Sequence, residues 1–240
     1  MTSNNNARLA VLIDADNAQA SILSELLAEV SRYGTASVKR AYGDWTTPNL
    51  KGWKTHLHKH AIQPIQQFSY TTGKNATDSS LIIDAMDLLH SGQLDGFCLV
   101  SSDSDFTRLA TRIRESGLVV YGFGEQKTPE PFVAACDRFI YTEILRSEPA
   151  ASAPKKKPIG APLERVIKPA VEVCAREDGW AHLSAVGNTV LKTHPSFDPR
   201  NYGYAKLSDL VRKQAYLEVD EATSKDGAGV LLVRVVPSRG

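Results

Sequence analysis

Cysteine is scarce in this 240-residue chain: Cys98, Cys136 and Cys174 lie far apart and share no metal-ligand spacing. So sparse and odd a set excludes a disulfide framework and points to buried thiols in a reducing compartment. Also missing is any apolar run long enough to span a bilayer. The start, Met-Thr-Ser-Asn-Asn-Asn, lacks a charged segment leading into an apolar one. No membrane partner is therefore expected, and the cytoplasm is the expected location. A strong charge of one sign is absent too, the formal net charge being +1. With 42% hydrophobic and 23% charged residues, the composition is that of an ordinary globular protein. The small net charge hides an asymmetry. Residues 1–145 carry 13 Lys and Arg against 16 Asp and Glu, whereas residues 146–240 carry 15 against 11. A basic second part joined to an acidic first part suggests a polyanionic partner.

No internal repeat is visible. Residues 146–162, rich in proline and alanine and carrying Lys155-Lys156-Lys157, have no apolar periodicity and read as a linker. Before it, strand-like and helix-like stretches alternate. Strands are expected at Leu9–Ile13, Ser37–Tyr42, Gln63–Phe68, Gly96–Ser101, Val119–Gly122 and Arg138–Tyr141. Helices are expected at Ala20–Tyr33, Lys51–His60, Asp78–Leu89, Phe106–Ser116 and Pro131–Cys136. Such alternation implies a three-layer α/β domain with a parallel sheet covered on both faces. After the linker, helices are expected at Leu163–Arg176, Leu183–Thr193 and Tyr204–Gln214. Strands at Tyr216–Val219 and Val230–Val236 follow, joined by the Gly-rich turn 224–229. That is the outline of a small winged-helix-like α+β domain.

Two apolar runs end in acids: Leu9-Ala-Val-Leu-Ile13-Asp14-Ala-Asp16-Asn17 and Phe97-Cys-Leu-Val100-Ser-Ser-Asp103-Ser-Asp105. In open α/β sheets the ligand crevice lies beyond the carboxyl ends of the strands. Asp14, Asp103 and Asp105, with Asp78 opening a helix, would therefore converge on one pocket. Clustered carboxylates repel and must share protons or hold a cation. Oxygen ligands of this kind select Mg²⁺ or Mn²⁺. Asp14 and Asp103 are the leading candidate ligands. Asp105 reads as either a ligand or a cap, and Asp78 as either a ligand or a helix N-cap. Asn17 could orient a ligand or bind phosphate. Asp16, Asp84 and Asp87 read as solvent-facing or supporting acids.

This pattern resembles a known family. Leu12-Ile-Asp14-Ala-Asp-Asn17, Gly73-Lys74-Asn-Ala-Thr-Asp78-Ser-Ser-Leu-Ile-Ile-Asp84 and Leu99-Val-Ser-Ser-Asp103-Ser-Asp105-Phe106 look like the NYN domain over residues 8–145. NYN domains belong to the PIN-like metal-dependent ribonucleases, which include bacterial LabA-type proteins. The resemblance implies a Rossmann-like sheet, a Mg²⁺ or Mn²⁺ site and single-stranded or structured RNA as substrate. By position, Asp14, Asp78, Asp103 and Asp105 would be the metal-holding acids, with Asn17 beside them and Lys74 on the RNA. Residues 163–238 are similar to the LOTUS (OST-HTH) domain, an RNA-binding module, through Phe197-Asp-Pro-Arg200-Asn-Tyr202-Gly-Tyr204-Ala-Lys206-Leu207-Ser-Asp-Leu210 and the strand Val230–Val235. Arg200, Tyr202, Lys206, Arg212 and Lys213, with Lys192 and Tyr204, would supply charge and stacking surface for RNA.

The resulting expectation is a metal-dependent endoribonuclease tethered to an RNA-binding module. Two alternatives stand beside it. One is an RNA-binding adaptor with a slow or inactive metal pocket. The other is a haloacid dehalogenase-type phosphatase, which also begins with Asp-x-Asp but usually carries a hairpin flap where a helix is expected here. His56-Leu-His58-Lys-His60 reads as a basic exposed helix rather than a metal site, and Trp53 as a core residue beside the Trp45 loop. Nothing in the sequence specifies whether the chain forms a homo-oligomer.

Overall fold

The computed structural model of the chain describes residues 6–68, 76–146, 162–223 and 229–236. It divides into two compact units, Met1–Glu148 and Pro149–Gly240. Most of the expected linker, the Gly73-Lys74 segment and the hairpin turn 224–228 lie outside the described residues.

The first unit contains strands β1 (Arg8–Asp14), β2 (Thr35–Gly43), β3 (Gln63–Gln66), β4 (Gly96–Val100), β5 (Val119–Gly124) and β6 (Arg138–Tyr141). Its helices are α1 (Leu23–Val30), α2 (Trp53–His60), α3 (Ala76–His90), α4 (Thr107–Glu115), α5 (Glu130–Ala135) and α6 (Thr142–Leu145). The six strands pair in parallel in the order β3-β2-β1-β4-β5-β6. The chain builds outward from β1 to β3, then crosses back to β4 on the other side of β1. Strand order thus reverses between β1 and β4, and a crevice opens there at the carboxyl ends.

Side chains alternate faces along β1. Ala10 and Leu12 enter a core with Leu81 and Ala85 of α3, Leu109 and Ile113 of α4, and Phe132 of α5. Each large apolar side chain buried this way contributes about 1.5–3 kcal/mol. This outweighs the few tenths of a kcal/mol that separate helix propensities, so burial at four-residue spacing determines where α3 and α4 lie. On the opposite face α1 packs against β2 and α6.

The expected helix over Ala20–Tyr33 is a 3₁₀ turn at Ala20–Ile22 followed by an α-helix that ends at Val30. Four-residue α6 lay below the length at which an apolar period can be read.

The second unit contains α7 (Leu163–Cys174), β7 (Ala181–His182), α8 (Leu183–Thr193), a 3₁₀ turn at Pro199–Tyr202, α9 (Leu207–Val211), β8 (Leu217–Thr223) and β9 (Gly229–Val235). Its sheet is antiparallel in the order β7-β9-β8. Val166, Ile167, Val171, Val186, Val190, Leu210 and Val233 form its core. The helix expected over Tyr204–Gln214 is only the five residues of α9. Gly203, at φ +82, ends the preceding 3₁₀ turn in the left-handed region, and β7 is too short to show an alternating pattern.

Gly124 closes β5 beside the switch point. A Cβ there would lie 2.6 Å from the Ser101 carbonyl oxygen and 2.6 Å from Thr128 Oγ1. Gly124→Ala should therefore destabilise the first unit by about 1–3 kcal/mol, read as a lowered urea midpoint. An unchanged midpoint would show that the close approach is not tight.

Candidate metal centre

Asp14, the last residue of β1, has no solvent exposure. The parallel register sets Ile13 beside Val100, so the residues that follow, Asp14 and Ser101, face each other across the switch point. The Ser101 hydroxyl donates to Asp14 Oδ2 at 2.8 Å, and the Asn17 amide donates to the same oxygen at 2.8 Å. The Asp16 backbone N–H donates to Asp14 Oδ1 at 3.2 Å. Burial pushes the Asp14 carboxyl above its ordinary pKa, while the Asn17 and Ser101 donors oppose that rise.

Beyond β4 the chain turns through a short 3₁₀ segment, Ser104–Phe106, into α4. Ser101 Oγ accepts from the Asp103 N–H at 3.1 Å, and Asp103 Oδ1 accepts from the Asp105 N–H at 2.9 Å. Asp103, not Asp105, is thus the cap of this turn, and one of its oxygens is used in capping. Asp78 is not an N-cap: α3 begins at Ala76 and Asp78 lies in its first turn. Its neighbour Thr77 donates through its hydroxyl to Asp16 Oδ2 at 3.0 Å, tying the β1 loop to α3.

Asp78, Asp103 and Asp105 each place a carboxylate oxygen so that the three lie within 4.8 Å of one another. Asp14 falls outside that triplet. Its charge still reaches Asp78, whose carboxyl is pushed up to about 6, first by burial and then by Asp14, Asp103, Asp105 and Asp16. Two full charges at such separation repel by about 3 kcal/mol at an effective dielectric of about 20. Three hard oxygen donors with no thiolate or imidazole among them match the ligand chemistry of Mg²⁺ or Mn²⁺.

Other residues singled out by sequence are placed as follows. Asp84 binds the Arg40 guanidinium and the buried Tyr42 hydroxyl, so it braces α3 against β2. Trp53 is buried and Trp45 meets it edge-on at 6.2 Å between centroids. None of His56, His58 and His60 joins a metal-type cluster among the described residues.

In the second unit, Arg200 is engaged by the buried Asp198 through two parallel bonds, Nε–Oδ1 2.9 Å and Nη2–Oδ2 2.8 Å. Tyr202 packs on Phe197, and Arg212 pairs with Glu221. Lys206 and Lys213 are exposed. Lys74 lies outside the described residues. Sequence reasoning assigned no role to Ser101 or Thr77. Ser101 is legible only once the β1–β4 register is known, and Thr77 only once the start of α3 is placed beside the β1 loop.

A family model described as NYN domain matches residues 8–145, and one described as OST-HTH/LOTUS domain matches residues 143–227. Among solved structures, the chain is similar to a protein of unknown function from Vibrio parahaemolyticus at 19% identity and TM-score 0.48, over 58% of this chain and 94% of that one. It is also similar to an uncharacterized protein of Nitrosomonas europaea at 33% identity and TM-score 0.33, over 39% and 89%. A Chromobacterium violaceum protein matches at 41% identity and TM-score 0.28, over 32% and 82%. No curated protein matches the chain.

The raised Asp78 pKa carries a stability consequence with a definite sign. Between the ordinary carboxyl pKa of 3.8 and about 6, the native state binds more protons than the unfolded chain. Stability of the metal-free protein should fall as pH rises through that window. Asp78→Asn removes the charge, so in EDTA it should raise the melting temperature at neutral pH by a few degrees. Near pH 4 it should have little effect. A variant that melts lower at neutral pH would count against the crowded-carboxylate account.

Proposed function

The chain belongs to the NYN-domain family, and from that premise we propose that it is a metal-dependent endoribonuclease. Its acids Asp78, Asp103 and Asp105, supported by Asp14, would hold Mg²⁺ or Mn²⁺. NYN is a nuclease family and the LOTUS module binds RNA. The observation that carries the reading is the three-carboxylate cluster at the β1/β4 switch point, where oxygens from α3 and the β4–α4 turn come within 4.8 Å. A divalent ion bound there supplies positive charge to a phosphodiester and acidifies a water.

The surrounding residues have separable tasks. Asp14 orients Asn17 and Ser101 through its Oδ2. Ser101 then fixes the Asp103 backbone, and Asp103 fixes that of Asp105. Among the described residues, Asp78, Asp103 and Asp105 offer the carboxylate oxygens proposed to meet ligand. A phosphatase mechanism with Asp14 as covalent nucleophile is disfavoured, because its carboxylate is wholly buried and carries three donors.

We take residues 8–145 as the nuclease domain and 163–238 as the RNA-binding domain, with 146–162 as the linker. Lys192, Lys206 and Lys213 are exposed candidates for phosphate contact in the second unit, while Arg200, Tyr202 and Arg212 would reach RNA only by sharing or leaving their present partners. Tethering raises the local concentration of RNA at the acid site without a new catalytic group. Buried free thiols at Cys98 and Cys136 suit a cytoplasmic setting. No described helix is long and apolar enough to cross a membrane.

The test is incubation with labelled single-stranded RNA, hairpin RNA and DNA in Mn²⁺, Mg²⁺ or EDTA. Cleavage of RNA should require metal and drop by about 100-fold or more in Asp103→Asn, with RNA binding retained. A chain ending at residue 162 should bind RNA more weakly. RNA binding without cutting by the wild type would favour the adaptor, and cutting by Asp103→Asn at the wild-type rate would remove the proposed metal site.

A further inference from the structure

The acid cluster uses one end of the α4 surface and leaves the rest unassigned. The Ser104–Phe106 turn runs directly into α4, so Asp105, Arg108 and Arg112 follow at intervals of three and four residues. Side chains at those intervals share a helix face. Leu109, Ala110 and Ile113 occupy the opposite, buried face, and Arg108 and Arg112 are exposed.

Among the described residues, neither arginine is neutralised by an acid. Arg108 makes no hydrogen bond or ion pair among the described residues. It sits in the first turn of α4, which contains no acidic residue. A cation there opposes the helix macrodipole, which favours cations at the other end. The macrodipole therefore gives no reason for a cation at Arg108. Among the described residues, the one side chain that Arg112 bonds is the neutral Ser116 hydroxyl at 3.0 Å, and no acid there pairs with it. Arg114 contrasts with both, being held by Asp137 at 3.0 Å and the Ala135 carbonyl at 3.3 Å. Glu115, the one acid of α4, lies at the far end of the helix from Asp105.

We propose that the exposed face of α4 is a phosphate rail, on which Arg108 and Arg112 hold successive backbone phosphates of an RNA strand leaving the acid cluster. This rests on the ribonuclease reading above. One helical turn places the two arginines about 6 Å apart along the axis, of the order of the separation between neighbouring phosphates in a strand. The guanidinium fork matches phosphate oxygens in pairs. RNA is favoured over an acidic protein because the row starts at Asp105, one of the acids proposed to hold the metal at the phosphodiester.

The test compares the full-length wild type with three variants: Arg108→Ala/Arg112→Ala, Arg108→Lys/Arg112→Lys, and Arg8→Ala. Arg8 is an exposed cation at the amino end of β1, remote from the crevice. Long single-stranded RNA is titrated across a salt series in EDTA, and cleavage is followed in Mn²⁺. The double alanine variant should flatten the log–log salt dependence of binding by about 1.4, two phosphates at about 0.7 each. It should raise KM about tenfold while kcat stays within about twofold. The double lysine variant should keep most of the salt dependence, and Arg8→Ala should behave as wild type. A double alanine variant indistinguishable from Arg8→Ala would overturn the rail and leave α4 to an acidic protein partner. A fall in kcat at unchanged KM would overturn it as well, by placing the arginines in the chemical step. If wild type neither binds nor cuts RNA, the ribonuclease reading itself fails and the rail with it, a result separate from a defect confined to the variants.

Discussion

The hydrogen bond from Ser101 to Asp14 joins the ends of β1 and β4 where strand order reverses, and the acid site depends on it. Its donor also accepts from the Asp103 backbone, whose side chain accepts from the Asp105 backbone. A chain of polar contacts thus runs from the buried end of one strand to the exposed end of the acid cluster. In a low-dielectric setting such contacts strengthen one another. Because Asp14 is fully buried, an unsatisfied oxygen there would be costly. Its three donors turn a liability into a fixed point, and its lack of exposure suits it better to orienting neighbours than to meeting solvent.

That arrangement stands against the electrostatics of the cluster. Asp78 is drawn toward like charges because Leu81, Ala85 and Leu89 hold α3 on the sheet, while the contacts of Asp84 with Arg40 and Tyr42 hold it sideways. Apolar burial of several kcal/mol is set against repulsion of a similar order. The outcome is visible in the raised pKa of Asp78. A cluster whose repulsion is eased by neutralising charge favours a cation or a proton, and which of the two wins depends on pH.

Much of this was legible in the sequence because the signals were long or chemically distinct. The apolar run that leads into Asp103 and Asp105 identifies a buried strand with acids beyond its carboxyl end; it was expected over Gly96–Ser101, and β4 ends one residue earlier, at Val100. Leu183–Thr193 has the bounds expected of it. What escaped was of two kinds. Very short elements, such as α6 and β7, carry too few residues to show a period. Pairings between distant residues, such as Thr77 with Asp16 or Asp84 with Tyr42, depend on the register of separate elements and have no local signature. Arg200 differs, since its partner Asp198 lies only two residues away. Charge beside aromatics suggested an RNA contact, yet the neighbouring buried Asp198 holds its guanidinium through two bonds.

The two units divide the physical work differently. In the first, charge is concentrated: acids gather at a switch point and arginines line the helix that leaves it. In the second, cations are distributed, some paired with acids, as Arg212 is with Glu221 and Arg234 with Glu218. Exposed pairs of this kind contribute little to stability, so they can be exchanged for phosphate at small cost. Specific positioning therefore belongs to the first unit, where contacts are buried and directional. The second is suited to capture, where contacts need to be numerous and easily remade.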